Sequence, residues 1–213
     1  MKRATICATV LGLVLAPAAM ADILLANPGP ANNGGSPNWA IFFDLEAAGS
    51  SLFVTHMKTA STAAANSNFN VEVFTRVGTA LGGGVGGGAG SSSAGWTSLG
   101  TVPATQGGTS SGISLLIDIP DILVPANSIV GVAVRFTVAG PRYFGTGTPP
   151  YSIYQDANLK LTTGDARSAP FTTTGSFFAS RALVGELHYE FVPAPGAMAL
   201  LGAAAFIGRR RRR

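Results

Sequence analysis

Residues 129–138 alternate without a break: Val130, Val132, Val134, Phe136 and Val138 fall on one side, and Ile129, Gly131, Ala133, Arg135 and Thr137 on the other. Successive side chains of an extended chain point to opposite faces, so a period of two marks a strand rather than a helix. The same period recurs at 69–77, where Phe69, Val71, Val73 and Thr75 oppose Asn70, Glu72, Phe74 and Arg76. At 39–45 both faces are largely apolar, with Trp39, Ile41, Phe43 and Leu45 on one and Ala40, Phe42 and Asp44 on the other. That pattern suits a strand in the middle of a sandwich. No window carries a sustained helical period bounded by caps.

Shorter runs at 22–25, 51–57, 96–101, 114–119, 142–144, 152–154, 159–162 and 181–191 complete the set. Pro120 is expected to end the run at 114–119, and 58–68 to be a surface connection. Asn, Pro and Gly crowd 27–38, which reads as a loop. Between 78 and 95 lies Gly82-Gly83-Gly84-Val85-Gly86-Gly87-Gly88, expected to be a long flexible hairpin loop. The expected fold is all-β: a single β-sandwich, jelly-roll-like, of about nine to eleven short strands.

The two ends of the chain have a different character. Met1-Lys2-Arg3 is basic, 4–15 is apolar and uncharged, and Ala19-Met20-Ala21 places small residues where signal peptidase reads. These are the parts of a secretory signal peptide, expected as a helix over 1–21 with cleavage between Ala21 and Asp22. At the other end, a proline-broken spacer precedes an apolar run over 197–208, and five arginines follow it, Arg209, Arg210, Arg211, Arg212 and Arg213. As a helix those twelve residues span about 18 Å, against the roughly 30 Å of a hydrocarbon core. A short, marginal membrane helix is expected, with the arginines on the cytoplasmic side.

Seven of the 14 Lys and Arg residues belong to these two ends, whereas all 10 acidic residues lie between them. The high isoelectric point therefore comes from the ends, and no nucleic-acid partner is expected. The single cysteine, Cys7, lies in the signal segment, so the domain at 22–191 has neither a disulfide framework nor a thiolate nucleophile.

Pro193, Pro195 and Gly196, the short apolar run and the terminal arginines resemble the PEP-CTERM sorting signal over 192–213. Ala194 stands where that family carries Glu. The resemblance implies a secreted protein of polysaccharide-producing bacteria, handled by an exosortase-type membrane protease. It implies transient anchoring in the inner membrane, then release to the cell envelope or extracellular matrix. The domain itself resembles an uncharacterised secreted bacterial β-sandwich domain. The likeness lies at 39–44 (Trp-Ala-Ile-Phe-Phe-Asp), 71–74 (Val-Glu-Val-Phe), 95–100 (Gly-Trp-Thr-Ser-Leu-Gly), 156–159 (Asp-Ala-Asn-Leu) and 181–185 (Arg-Ala-Leu-Val-Gly). That resemblance carries a fold and no activity.

Chemistry-bearing residues are sparse. His56 and His188 stand far apart in sequence without metal-ligand spacing, and no metal or cofactor is expected. Asp118, Asp121, Asp156, Asn158 and Asp165 offer oxygen ligands of the kind Ca²⁺ takes, but match no calcium-loop pattern and read better as turn formers. Asp44, Glu46, Glu72, Glu186 and Glu190 are the carboxylates available for a glycosidase pair. No phosphate-binding loop is present, and no enzyme activity is expected. Tyr143, Phe144, Tyr151 and Tyr154 cluster among Gly and Pro, where loop aromatics offer flat faces to sugar rings. The expected function is a non-catalytic structural or matrix-associated protein; the alternative is a carbohydrate-binding module for exopolysaccharide, with those four aromatics as its face.

Overall fold

A computed structural model describes residues 21–27, 29–110, 112–146 and 150–192. Residues 1–20 of the signal segment, Ala19 among them, lie outside the described residues. So do Pro193, Pro195, Gly196, the apolar run and Arg209 to Arg213, and with them both expected terminal helices. Ala21 is the first described residue, and Asp22 opens the first strand.

The strands are β1 (Asp22–Leu25), β2 (Asn33–Gly34), β3 (Ala40–Ala47), β4 (Leu52–Ser61), β5 (Asn68–Val77), β6 (Thr97–Thr105) and β7 (Ile117–Val124). They continue as β8 (Ile129–Thr137), β9 (Pro141–Gly145), β10 (Ser152–Gln155), β11 (Leu159–Arg167), β12 (Phe177–Leu183) and β13 (Gly185–Phe191). The only helical element among the described residues is one 3-10 turn, Ala89–Ser91. No helix among them is long and apolar enough to cross a membrane.

All pairings between named strands are antiparallel, and β4 joins two sets of strands. Its Leu52–Met57 part pairs with β13 on one edge and β7 on the other, and β1 adds beyond β13. Its last residues, Ala60 and Ser61, pair with β9. From β9 the hydrogen bonding continues through β12, β11, β3, β8 and β5 to β6. One hydrophobic cluster draws on both sets: Leu52, Val54, Met57 and Ile122 from the first, Phe43, Leu45, Val71, Val132 and Phe136 from the second. A β-sandwich-like arrangement fits this, with the inward faces packed together.

The central strands follow the alternation. In β3, Ile41, Phe43 and Leu45 enter the main core, and Ala40 and Phe42 enter a second cluster on the opposite face. In β8, Val130, Val132, Val134 and Phe136 are buried, but Val138 is 72% exposed with a left-handed φ of 73° and lies beyond the strand.

Thirteen strands form among the described residues rather than about nine to eleven. Part of the loop expected at 27–38 becomes β2, pairing Asn33 and Gly34 with Tyr143 and Arg142. The connection expected at 58–68 begins as buried strand, with Thr59, Ala60 and Ser61 fully enclosed. Pro120 does not end β7, because β7 is an edge strand whose only ladder partner is β4, and an edge strand has an unpaired side for a residue without N–H. The run at 181–191 divides at Val184. Gly185 takes φ +149° there, and a Cβ on it would stand 1.9 Å from the Lys58 carbonyl oxygen. Only glycine allows that approach.

Candidate functional site

The second face of β3 is not open to solvent. Residues 78–95 fold back across it, so the glycine-rich stretch is pinned to the sheet rather than looping freely as expected. Phe42, Ala40, Ala133 and Ala80 form a small core there, against Phe74, Leu81, Trp96 and Phe171. The Phe42 ring meets Trp96 and Phe171 edge-on, at centroid distances of 5.7 and 5.9 Å. Gly131 makes room for the approach: a Cβ there would lie 2.7 Å from both Ala80 N and Gly78 O.

Three buried polar side chains hold the segment down. Arg167, on β11, donates through one terminal nitrogen to Gly84 O and Ser91 Oγ, both at 2.8 Å. Its other terminal nitrogen donates to Gly82 O at 3.1 Å and Gly87 O at 3.2 Å. The guanidinium lies over Phe177 at 4.7 Å, and Gly90 passes so close that a Cβ on it would sit 2.4 Å from Arg167 Nε. Burial pushes the pKa of Arg167 down, with Asp165 and Tyr151 acting the other way.

Asp44, on β3, accepts from Thr79 Oγ1 at 2.6 Å and from Ala80 N at 2.7 Å. Asp165, on β11, accepts from Gly82 N at 2.6 Å and from the Tyr151 hydroxyl at 3.1 Å. Burial raises both carboxyl pKa values, and the hydrogen bonds only partly offset it. Tyr151 is pushed up to about 12 by burial and by Asp165. The network therefore consists of two carboxylates, a phenol and a guanidinium under a cover of glycine backbone.

Three of the other candidate carboxylates are paired elsewhere. Glu46 pairs with Lys160 and Glu72 with Arg135. Glu186 accepts from Lys58 at 2.9 Å and lies 2.8 Å from His188 Nε2. Glu190 is half-buried on β13. Asp165, expected in a loop, is in β11, while Asp156 closes the turn into that strand by accepting from Asn158 N and Leu159 N. Among the described residues no group of three or more His, Cys, Asp or Glu is placed to hold a metal ion.

His56 and His188, isolated in sequence, are cross-strand partners with ring centroids 6.3 Å apart. Nothing local in the sequence signals this, because the pairing of β4 with β13 spans most of the chain.

The four aromatics proposed as a glycan face do not form one platform. Tyr143 is 1% exposed and belongs to the main core, so its ring cannot stack on a sugar. Phe144 packs against the small cluster of Ala31, Ala60 and Val184. Tyr151 is turned toward Asp165, and Tyr154 packs on the main core from β10. A shallow depression of about 210 Å³ lies nearby, lined by Glu46, Asn127, Gln155, Asp156, Asn158 and Lys160, with none of these aromatics in its wall.

No family model matches the chain, and no curated protein matches it. Two solved structures are similar in outline. One is the VP2 subviral particle of infectious bursal disease virus, at 12% identity and a TM-score of 0.27, covering 97% of this chain and 54% of that one. The other is the T13 particle of the same virus, at 11% identity and a TM-score of 0.26, covering 90% and 45%. The chain thus spans about half the length of each matched structure, and at these scores the likeness carries no argument about fold or function.

Proposed function

We propose that this chain is a non-catalytic structural protein of the cell envelope or extracellular matrix, built on a jelly-roll-like β-sandwich at 22–191. Signal peptidase removes 1–21, and the tail at 192–213 holds the protein briefly in the inner membrane until an exosortase-type protease releases it. The terminal patterns support the route. One observation carries the non-catalytic reading: the two carboxylates that come together, Asp44 and Asp165, accept their hydrogen bonds beneath the 78–95 segment. A glycosidase pair must instead flank a bond in an accessible cleft.

Incubation with a panel of exopolysaccharides, with release of reducing ends as the readout, tests this. No turnover is expected. Turnover that disappears in Asp165→Asn would overturn it.

The carbohydrate-binding alternative retains Phe144, Tyr151 and Tyr154, each partly exposed. Affinity electrophoresis separates the two readings: retardation by a polysaccharide that is lost in Tyr154→Ala favours binding, and unretarded migration favours the structural role.

A further inference from the structure

The segment over Asp44 and Asp165 has an unusual charge arrangement. From Gly78 to Gly95 it contains no ionisable side chain. The 168–176 segment, which packs on the same aromatics through Phe171, has none either. Any response of this face to pH therefore originates beneath it.

Four donors serve the two buried carboxylates, and three of them come from the covering segment itself: Thr79 Oγ1, Ala80 N and Gly82 N. The fourth is the Tyr151 hydroxyl. Neither carboxylate is among the ion pairs of the described residues. Arg167, the nearest buried cation, directs both terminal nitrogens to Ser91 and to carbonyls of the segment instead. The segment thus replaces only in part the water that the carboxylates would otherwise have.

We propose that residues 78–91 form an acid-tightened strap, which closes most firmly over Asp44 and Asp165 when they carry protons and loosens as pH rises. Closing withdraws both carboxylates from water without a paired counter-charge, which penalises their ionised forms. Opening returns them to solvent. The closed state therefore binds more protons than the open one, and linkage requires that raising pH favours opening.

The charged and titratable groups facing the pair are few. Arg76 approaches Asp44 from β5, Arg167 approaches Asp165 from β11, and Tyr151 lies ahead of β10. Toward this face β8 presents Gly131, Ala133 and Arg135, the last lying over Phe74 and paired with Glu72 of β5; β12 presents Phe177, and the next row of the sheet holds the Glu46–Lys160 pair. Both carboxyl pKa values are raised in the closed form. The stabilisation is complete below the ordinary carboxylate range, near about pH 4, and is lost as pH rises through the closed-state values.

Hydrogen exchange on the full chain tests the strap. Protection of the Ala80 and Gly82 amides, normalised to intrinsic rates, is compared between about pH 4 and about pH 8, with Val132 and Val134 as core references. The expected result is a loss of protection at Ala80 and Gly82 at the higher pH, with no matching change in the core. The double variant Asp44→Asn, Asp165→Asn should abolish the pH dependence. Equal protection across the range, an equal fall in Val132 and Val134, or a fall that persists in the double variant would each overturn the proposal. Should the double variant not fold, the site-resolved profile of the natural chain decides alone.

Discussion

Asp44 and Asp165, on the adjacent strands β3 and β11, each accept a backbone N–H from one covering segment: Ala80 N at 2.7 Å for Asp44, and Gly82 N at 2.6 Å for Asp165. Those amides are 2 positions apart in sequence, whereas the carboxylates are 121 positions apart. The register of β3 against β11, which sets Asp44 opposite Thr162 and Phe42 opposite Asp165, brings them together. Long-range strand pairing, rather than any local motif, thus creates the polar centre of the molecule.

Replacement of Arg167 by Ala should destabilise the fold more than any exposed substitution. Four hydrogen bonds from a buried guanidinium disappear, leaving the carbonyls of Gly82, Gly84 and Gly87 without this donor. A loss of about 2–4 kcal/mol is expected from charge-assisted bonds of this kind. Urea denaturation monitored by Trp fluorescence would measure it, and Arg167→Lys should recover little, because an ammonium lacks the planar fork that reaches all four acceptors.

The glycines separate into those the fold requires and those it does not. Gly131→Ala would set a methyl against Ala80 N and Gly78 O, and should cost about 1–3 kcal/mol by the same denaturation measurement. Gly49→Ala meets nothing within 4 Å and should stay within about 0.5 kcal/mol of the natural chain. A Gly131 substitution as mild as the Gly49 one would show that the covering segment does not press on β8.

The all-β, sandwich-like arrangement was largely legible in the sequence because its central strands alternate: β3, β5 and β8 appear at nearly their true positions, including the two apolar faces of β3. Boundaries failed where tertiary context overrides local pattern. Pro120 lies within β7 because an edge leaves its missing N–H unneeded, and Val184 with Gly185 divides one alternating run into two strands. The network under the glycine-rich stretch was not legible. Six glycines in seven residues read as a linker, and what orders them is Arg167, 85 positions from Gly82. The loop aromatics misled for a related reason: alternation along β9 turns Tyr143 into the core and Phe144 out of it.

Glu186 should respond to pH with the opposite sign to the buried aspartates. Burial acts to raise its pKa, but the hydrogen bonds from His188 and Lys58 outweigh that and hold it below its ordinary value. A carboxylate lowered in the folded state contributes stability above its unfolded pKa and loses that contribution as pH falls through the folded value. Stability curves of Glu186→Gln and the natural chain should therefore differ at neutral pH and converge in acid. A difference that persists unchanged at low pH would contradict this linkage.

The functional account rests most heavily on where the protein goes and in what form. Intact-mass and terminal-peptide measurement of the extracellular protein is the most direct test. The account predicts a chain that begins at Asp22 and has lost the five arginines at 209–213. Recovery of the chain only in the inner membrane, with Arg213 still in place, would contradict it.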